Sequence, residues 1–229
     1  MAAEPRAPAR LIDVSHPIEA GMTTYPGLPV PEIRQHLTRE ASRGHYAPGV
    51  EFRIDVVTLC GNTGTYMDSP LHRYAGGADL ASLPLERLVD VPAVRIDATS
   101  AGRGIHSTSF DGHDLAGMAV LVHTGHDRHW RTDAYAQDAP FLALDAVERL
   151  VRAGVAVVGI DSLNIDDTGD GTRPAHSLLL GAGIPVVEHM ANLGQVPETG
   201  AFFTALPAPF VDVVTAPVRA VVRVPDPRL

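Results

Sequence analysis

Six consecutive apolar residues, Val155–Ile160, follow a segment in which Leu144, Val147, Leu150 and Val151 recur at three- and four-residue spacing. That spacing predicts an amphipathic helix over Leu142–Ala153, supported by a Glu148–Arg152 pair one turn apart and closed by Gly154. The run after it, VAVVGI, has no polar face and reads as a strand covered on both sides, beside a crossover helix. Apolar stretches predict further strands at Leu11–Ser15, Val91–Ile96, Met118–His123, Ile184–Val187, Ala201–Leu206 and Val218–Val224. Glu51–Leu59 alternates instead, with Phe52, Ile54 and Val56 against Glu51, Arg53 and Asp55, and predicts a half-buried strand. Leu80–Leu88 predicts a short helix with Ser82 as N-cap and Leu83, Leu85 and Leu88 facing the core. Pro29–Gly49 reads as a polar loop suited to a lid or a dimer arm, and Ser100–Gly117 as loop plus a short turn. Strands alternating with helices make the chain α/β.

Cys60–Arg73, CGNTGTYMDSPLHR, fits neither pattern. Its glycines at 61 and 64 and the proline at 70 oppose a helix, and in an extended segment every second side chain shares a face. Asn62, Tyr66, Asp68 and His72 then point one way, with Gly64 leaving a gap among them. Polar groups converging beside a missing side chain suggest a site.

Composition narrows the chemistry. With 229 residues and no linker or repeat, the chain predicts a flexible tail, 1–9, and a single domain, 10–229. The net charge is −9 with no basic cluster, which argues against nucleic acid and anionic membranes as partners. All 18 basic residues are arginine, so Schiff-base chemistry on a lysine is excluded. Cys60 is the only cysteine and precludes an internal disulfide. Neither a secretion signal nor a membrane-length apolar run is visible, and a cytoplasmic location is the expectation.

NTGTYMDSPLH resembles the signature HxGTHxDxPxH of the metal-dependent cyclase family, which includes bacterial kynurenine formamidases and isatin hydrolases. The glycine, threonine, aspartate, proline and last histidine match; Asn62 and Tyr66 stand where the family has metal-binding histidines. DVSHPIEAGMTTYPG near the N-terminus, DSLNID at 161–166 and PAHSLLLGAGIPVVEHMANL from Pro174 are similar to further family segments. The resemblance implies a mixed, partly barrel-like sheet with flanking helices, and a homodimer or homotetramer. It implies Asp68, His176 and Glu188 as metal ligands, His72 as the group that moves a proton, and Tyr25 beside the substrate with Asn62. It also implies that the turn after Met118–His123 brings Trp130 to the pocket. His123, His126 and His129 in that turn lack the support an independent zinc site needs.

Losing two imidazoles weakens any site and hardens its ligand set. One weakly held divalent ion, manganese or zinc, and no ion at all remain the two alternatives. With an ion, the implied activity is opening or closing an amide, lactam or lactone. Without one, Tyr66 and His72 offer acid–base chemistry for a cyclase or dehydratase. A small-molecule-binding descendant without catalysis is the remaining reading.

Overall fold

The helix predicted before VAVVGI and the strand within it form as expected and set the frame of the molecule. The computed structural model describes residues 9–225; the expected tail, apart from Ala9, lies outside them. In chain order the elements are β1 (Arg10–Asp13), β2 (Glu32–Leu37), α1 (Arg39–Ser42), β3 (Ile54–Thr58), β4 (Tyr66–Asp68), β5 (Val91–Asp97), β6 (Gly104–Ile105), β7 (Ala119–His123), β8 (Phe141–Leu142), α2 (Leu144–Ala153), β9 (Val157–Ile160), α3 (Pro174–Gly181), β10 (Val186–Glu188), β11 (Ala201–Leu206), β12 (Thr215–Pro217) and β13 (Arg219–Val224).

One mixed, curled sheet of nine strands, in the order β1-β13-β11-β5-β7-β9-β10-β4-β12, dominates the fold. Its middle, β5-β7-β9-β10, is parallel, and antiparallel strands extend both sides. Period-two alternation divides the core. Val94, Ile96, Val120, Val122, Val158 and Ile160 face α2 and α3, joined there by Val147, Leu150 and Leu179. Ala93, Leu121, Val157, Val187 and Met67 face the other side with Phe203 and Val222. Both faces of the parallel strands are covered, which explains their unbroken apolar runs. Gly154 ends α2 in the left-handed conformation, and Glu148 and Arg152 pair at 3.4 Å. No helix among the described residues is long and apolar enough to cross a membrane.

The structure corrects several expectations. Pro29–Gly49 is not all loop: it holds β2 and α1, and β2 pairs with β3 as a separate two-stranded ribbon. The predicted strand Glu51–Leu59 shortens to Ile54–Thr58 and is not half-buried, because the ribbon stands off the main sheet with Ile33, Ile54 and Val57 exposed. Leu80–Leu88 forms two 3-10 turns rather than one helix. Asp79, not Ser82, caps the first by accepting from the Ser82 N–H, and Pro84 separates the two. Leu83 and Leu88 are buried, whereas Leu85 and Leu144 point to solvent.

Candidate active site

Three distant segments meet where the parallel strands end. β10 delivers Glu188 at its C-terminal end, the side where open α/β sheets place their ligands. β4 runs antiparallel to it, with Tyr66 opposite Glu188 and Asp68 opposite both Val186 and Thr215. Period two puts Tyr66 and Asp68 on one face, as the sequence suggested, while the 3-10 turn Pro70–His72 swings His72 back to the same cleft. The predicted gap at Gly64 is filled by Ile18 and Met22, and the glycine is in the left-handed region with its N–H donating to Thr24 at 2.8 Å. A Cβ at Gly61 would collide with the Thr215 carbonyl, so that glycine lets the loop cross beside β12.

His176 lies in the first turn of α3. Asp166 holds it there: Oδ1 accepts from the Ala175 N–H at 2.6 Å, and Oδ2 faces both the His176 N–H and its Nδ1, the latter at 2.6 Å. The carboxylate therefore caps the helix from outside and fixes the proton on Nδ1. Nε2 is left facing Asp68 Oδ2 at 3.6 Å and Glu188 Oε1 at 3.8 Å. Each acid has its other contacts secured. Thr215 Oγ1 donates to Asp68 Oδ1 at 2.7 Å, the Ile165 N–H donates to Glu188 Oε1 at 2.6 Å, and the Tyr66 hydroxyl donates to Glu188 Oε2 at 2.6 Å.

Asp68 Oδ2 is the exception. It is buried and accepts no hydrogen bond. A buried carboxylate oxygen without a partner is costly, and the usual resolution is a cation. Donor atoms of Asp68, His176 and Glu188 lie within 4.8 Å of one another, the one such cluster among the described residues. With Asp166 holding the His176 imidazole through Nδ1, these residues fit a divalent ion.

Electrostatics describe the same convergence. Burial opposes charge on His176, yet the carboxylates around it, Asp166 through its hydrogen bond and Asp68 and Glu188 by their charge, push its pKa up to about 10. Burial raises Glu188, with His176 pulling it down and Asp68 pushing it up. Burial, then Glu188 and Asp68, hold the Tyr66 phenol well above its usual range. Two acids beside one imidazole thus carry excess negative potential that a cation would neutralise.

The cleft over this cluster has a volume of about 350 Å³, and its walls include Tyr25, Leu28, Asn62, Tyr66, His72, His176 and Glu188. Tyr25 and Asn62, expected beside a substrate, both line this cleft. Trp130 does not line this cleft, and its expected position is corrected. It stacks on His16 at 4.0 Å and meets Tyr135 and His189 edge-on, and His189 in turn packs against Tyr66. Its turn is held by Asp161, which accepts from Thr124 and Gly125, and His126 Nε2 faces the Tyr135 carbonyl at 2.9 Å. Sequence reading missed Thr215, whose link to Asp68 exists only through sheet register, and the arginines Arg73 and Arg173 at the cleft wall.

The family model described as "Putative cyclase" matches residues 12–167. The chain belongs to this family. Among its relatives, the kynurenine formamidase of Bordetella avium is 32% identical over 219 residues, covering 93% of this chain and 98% of that protein. That of Paracidovorax citrulli is 29% identical over 221 residues, covering 95% and 98%. A solved structure described as a potential metal-dependent hydrolase with cyclase activity superposes with a TM-score of 0.78 at 29% identity, covering 96% of this chain and all of that one. An isatin hydrolase bound to the product analogue thioisatinate shares the fold, with a TM-score of 0.78 at 22% identity over 95% of this chain and 93% of that one. The cyclase-family sheet accounts for how segments at positions 66–72, 176–188 and 215 come to share one cleft.

One consequence concerns Tyr66. Its hydroxyl, expected to face a substrate, is committed to Glu188. Tyr66→Phe is expected to leave a buried carboxylate oxygen without its donor and to destabilise the metal-free protein by roughly 1–3 kcal/mol. Urea unfolding of wild type and variant in chelator measures the difference; equal midpoints and slopes would remove the hydrogen bond from the account.

Proposed function

We propose that the protein is a divalent-metal hydrolase that opens the carbon–nitrogen bond of a small amide or lactam, as the kynurenine formamidase relatives are named for doing. The observation that carries this is the buried, unpartnered Asp68 Oδ2 facing His176 and Glu188 beneath an open cleft. Asp68, His176 and Glu188 would hold one ion, and two carboxylates with one imidazole suit manganese or zinc. When bound, such an ion supplies Lewis acidity, polarising a carbonyl and bringing the pKa of water to about 7. His72 is the proton carrier. Its Nδ1 lies 3.4 Å from Thr215 Oγ1 and 3.9 Å from Asp68 Oδ1, and its ring is 5.7 Å from that of His176. It takes a proton from the attacking water and returns one to the leaving nitrogen, so that water adds across the broken bond. Tyr66 orients Glu188, while Tyr25 and Asn62 contact the substrate.

The metal-free alternative is disfavoured by the Tyr66 hydroxyl being engaged and its pKa raised. The binding-only alternative leaves the grouping of His72 with the three ligands unexplained. Our reading keeps the protein cytoplasmic, and the apolar side chains exposed on the β2–β3 ribbon support self-association as a dimer or tetramer.

The test is formate release from an aromatic formamide, and ring opening of an aromatic lactam, before and after chelation and after return of manganese or zinc. Activity is expected to follow the metal. Turnover that survives complete metal removal would support the Tyr66–His72 alternative, and ligand binding without product under every metal condition would support a non-catalytic protein.

A further inference from the structure

Arg73 and Arg173 line the cleft, and neither forms a salt bridge among the described residues. Other arginines of this acidic chain do hold acids, as Arg103 pairs with Asp167, Arg149 with Asp111 and Arg223 with Asp90. The two at the cleft are instead positioned by neutral groups. Arg73 donates from Nε to Ser177 Oγ at 3.2 Å and from Nη2 to the Thr172 carbonyl at 3.4 Å, which ties it to the residue next to Arg173. Arg173 donates from Nη1 to Asn164 Oδ1 at 3.0 Å. Its backbone is left-handed, at φ 49° and ψ 60°, and Pro174 follows. A side-chain-bearing residue in that region is strained, and such strain persists where the surroundings fix a particular placement.

Asn164 adds a third donor. Its Oδ1 accepts from both Arg173 and the Asp166 N–H, so its amide NH₂ points away from them. That NH₂ meets no acceptor among the described residues, and Asn164 lines the same cleft. Two guanidiniums and an amide therefore bring donors to a cleft that Tyr25 and Leu28 also line. Planar guanidinium donors match a carboxylate, where a neutral carbonyl would leave their charge uncompensated. Asp167 feels the charge of Arg173, but it is already bridged to Arg103 at 2.8 Å.

We infer that Arg73, Arg173 and Asn164 form an anion subsite that selects a carboxylate-bearing aromatic amide over its neutral counterpart. This specificity rests on the hydrolytic reading above for the identity of the bond broken, but the subsite itself does not depend on turnover. Hydrogen bonds to a charged partner are each worth enough to change affinity by roughly 10- to 100-fold.

N-formylanthranilate and formanilide differ only by a carboxylate and make the comparison direct. Binding by calorimetry and formate release are recorded together on manganese-supplemented wild type, Arg73→Gln, Arg173→Gln and the double variant, with thermal midpoints as a check on folding. Wild type is expected to bind N-formylanthranilate at least about 10-fold more tightly than formanilide, each glutamine variant to lose most of that preference through Kd and KM, and Arg→Lys at either position to keep part of it. Equal affinities in wild type, no binding of N-formylanthranilate, or a preference that survives in the double variant would overturn the subsite even if formate is released. A preference abolished by the glutamine variants without formate from either compound supports the subsite while removing formamide hydrolysis.

Discussion

Asp68→Asn is expected to reduce manganese or zinc affinity by at least about 100-fold and to abolish turnover at metal concentrations that saturate wild type. The estimate follows from the roughly 10- to 100-fold cost of disturbing groups that merely support a ligand. Asparagine keeps the Thr215 hydrogen bond to Oδ1 but puts a neutral amide where Oδ2 now stands buried without a partner. In chelator the exchange should cost nothing, because Asp68, Asp166 and Glu188 all bear on one imidazole and losing one negative charge relieves that crowding. The melting temperature of the metal-free variant should therefore be at least that of wild type. Adding metal separates them: an ion at 100 times its Kd stabilises a folded protein by about 2.7 kcal/mol, and the variant should show no such gain. Thermal unfolding with and without manganese reads both halves. A variant that still melts higher with metal would show that Asp68 is not a ligand.

The second large effect belongs to His72. His72→Ala should lower kcat by about 10²- to 10⁴-fold, the usual contribution of a positioned acid–base group, with metal content unchanged. The side chain is 34% exposed and its contacts in the site are long, 3.4 Å to Thr215 Oγ1 and 3.9 Å to Asp68 Oδ1, so folding should be little affected. Steady-state kinetics beside metal analysis distinguishes this from loss of a ligand. Near-normal kcat would take the proton-carrying role from His72.

Much of this was readable in advance because it depends on local pattern. The unbroken run at Val155–Ile160 after a crossover helix reads as a strand covered on both faces, and β9 has parallel neighbours on each side. The alternation through Tyr66 and Asp68 placed them on one face before any partner strand was known. Other features had no local signature. The ribbon β2–β3 carries strand-like residues, but its apolar side chains are exposed, so alternation predicted a burial that does not occur. Thr215 reaches Asp68 across 147 residues of chain through register alone. Trp130 is placed at the pocket only by the family resemblance, and its ring instead stacks on His16 at 4.0 Å. Arg73 and Arg173 carry no local signature either, since their neutral partners Ser177, Thr172 and Asn164 meet them only in the fold.

The central claim, that Asp68, His176 and Glu188 together hold one catalytic ion, has a direct test in diffraction from crystals of the manganese-supplemented protein at the manganese absorption edge. A single anomalous peak bounded by Asp68 Oδ2, His176 Nε2 and the Glu188 carboxylate is the predicted result. A peak elsewhere, or none while the protein turns over an amide, would contradict it.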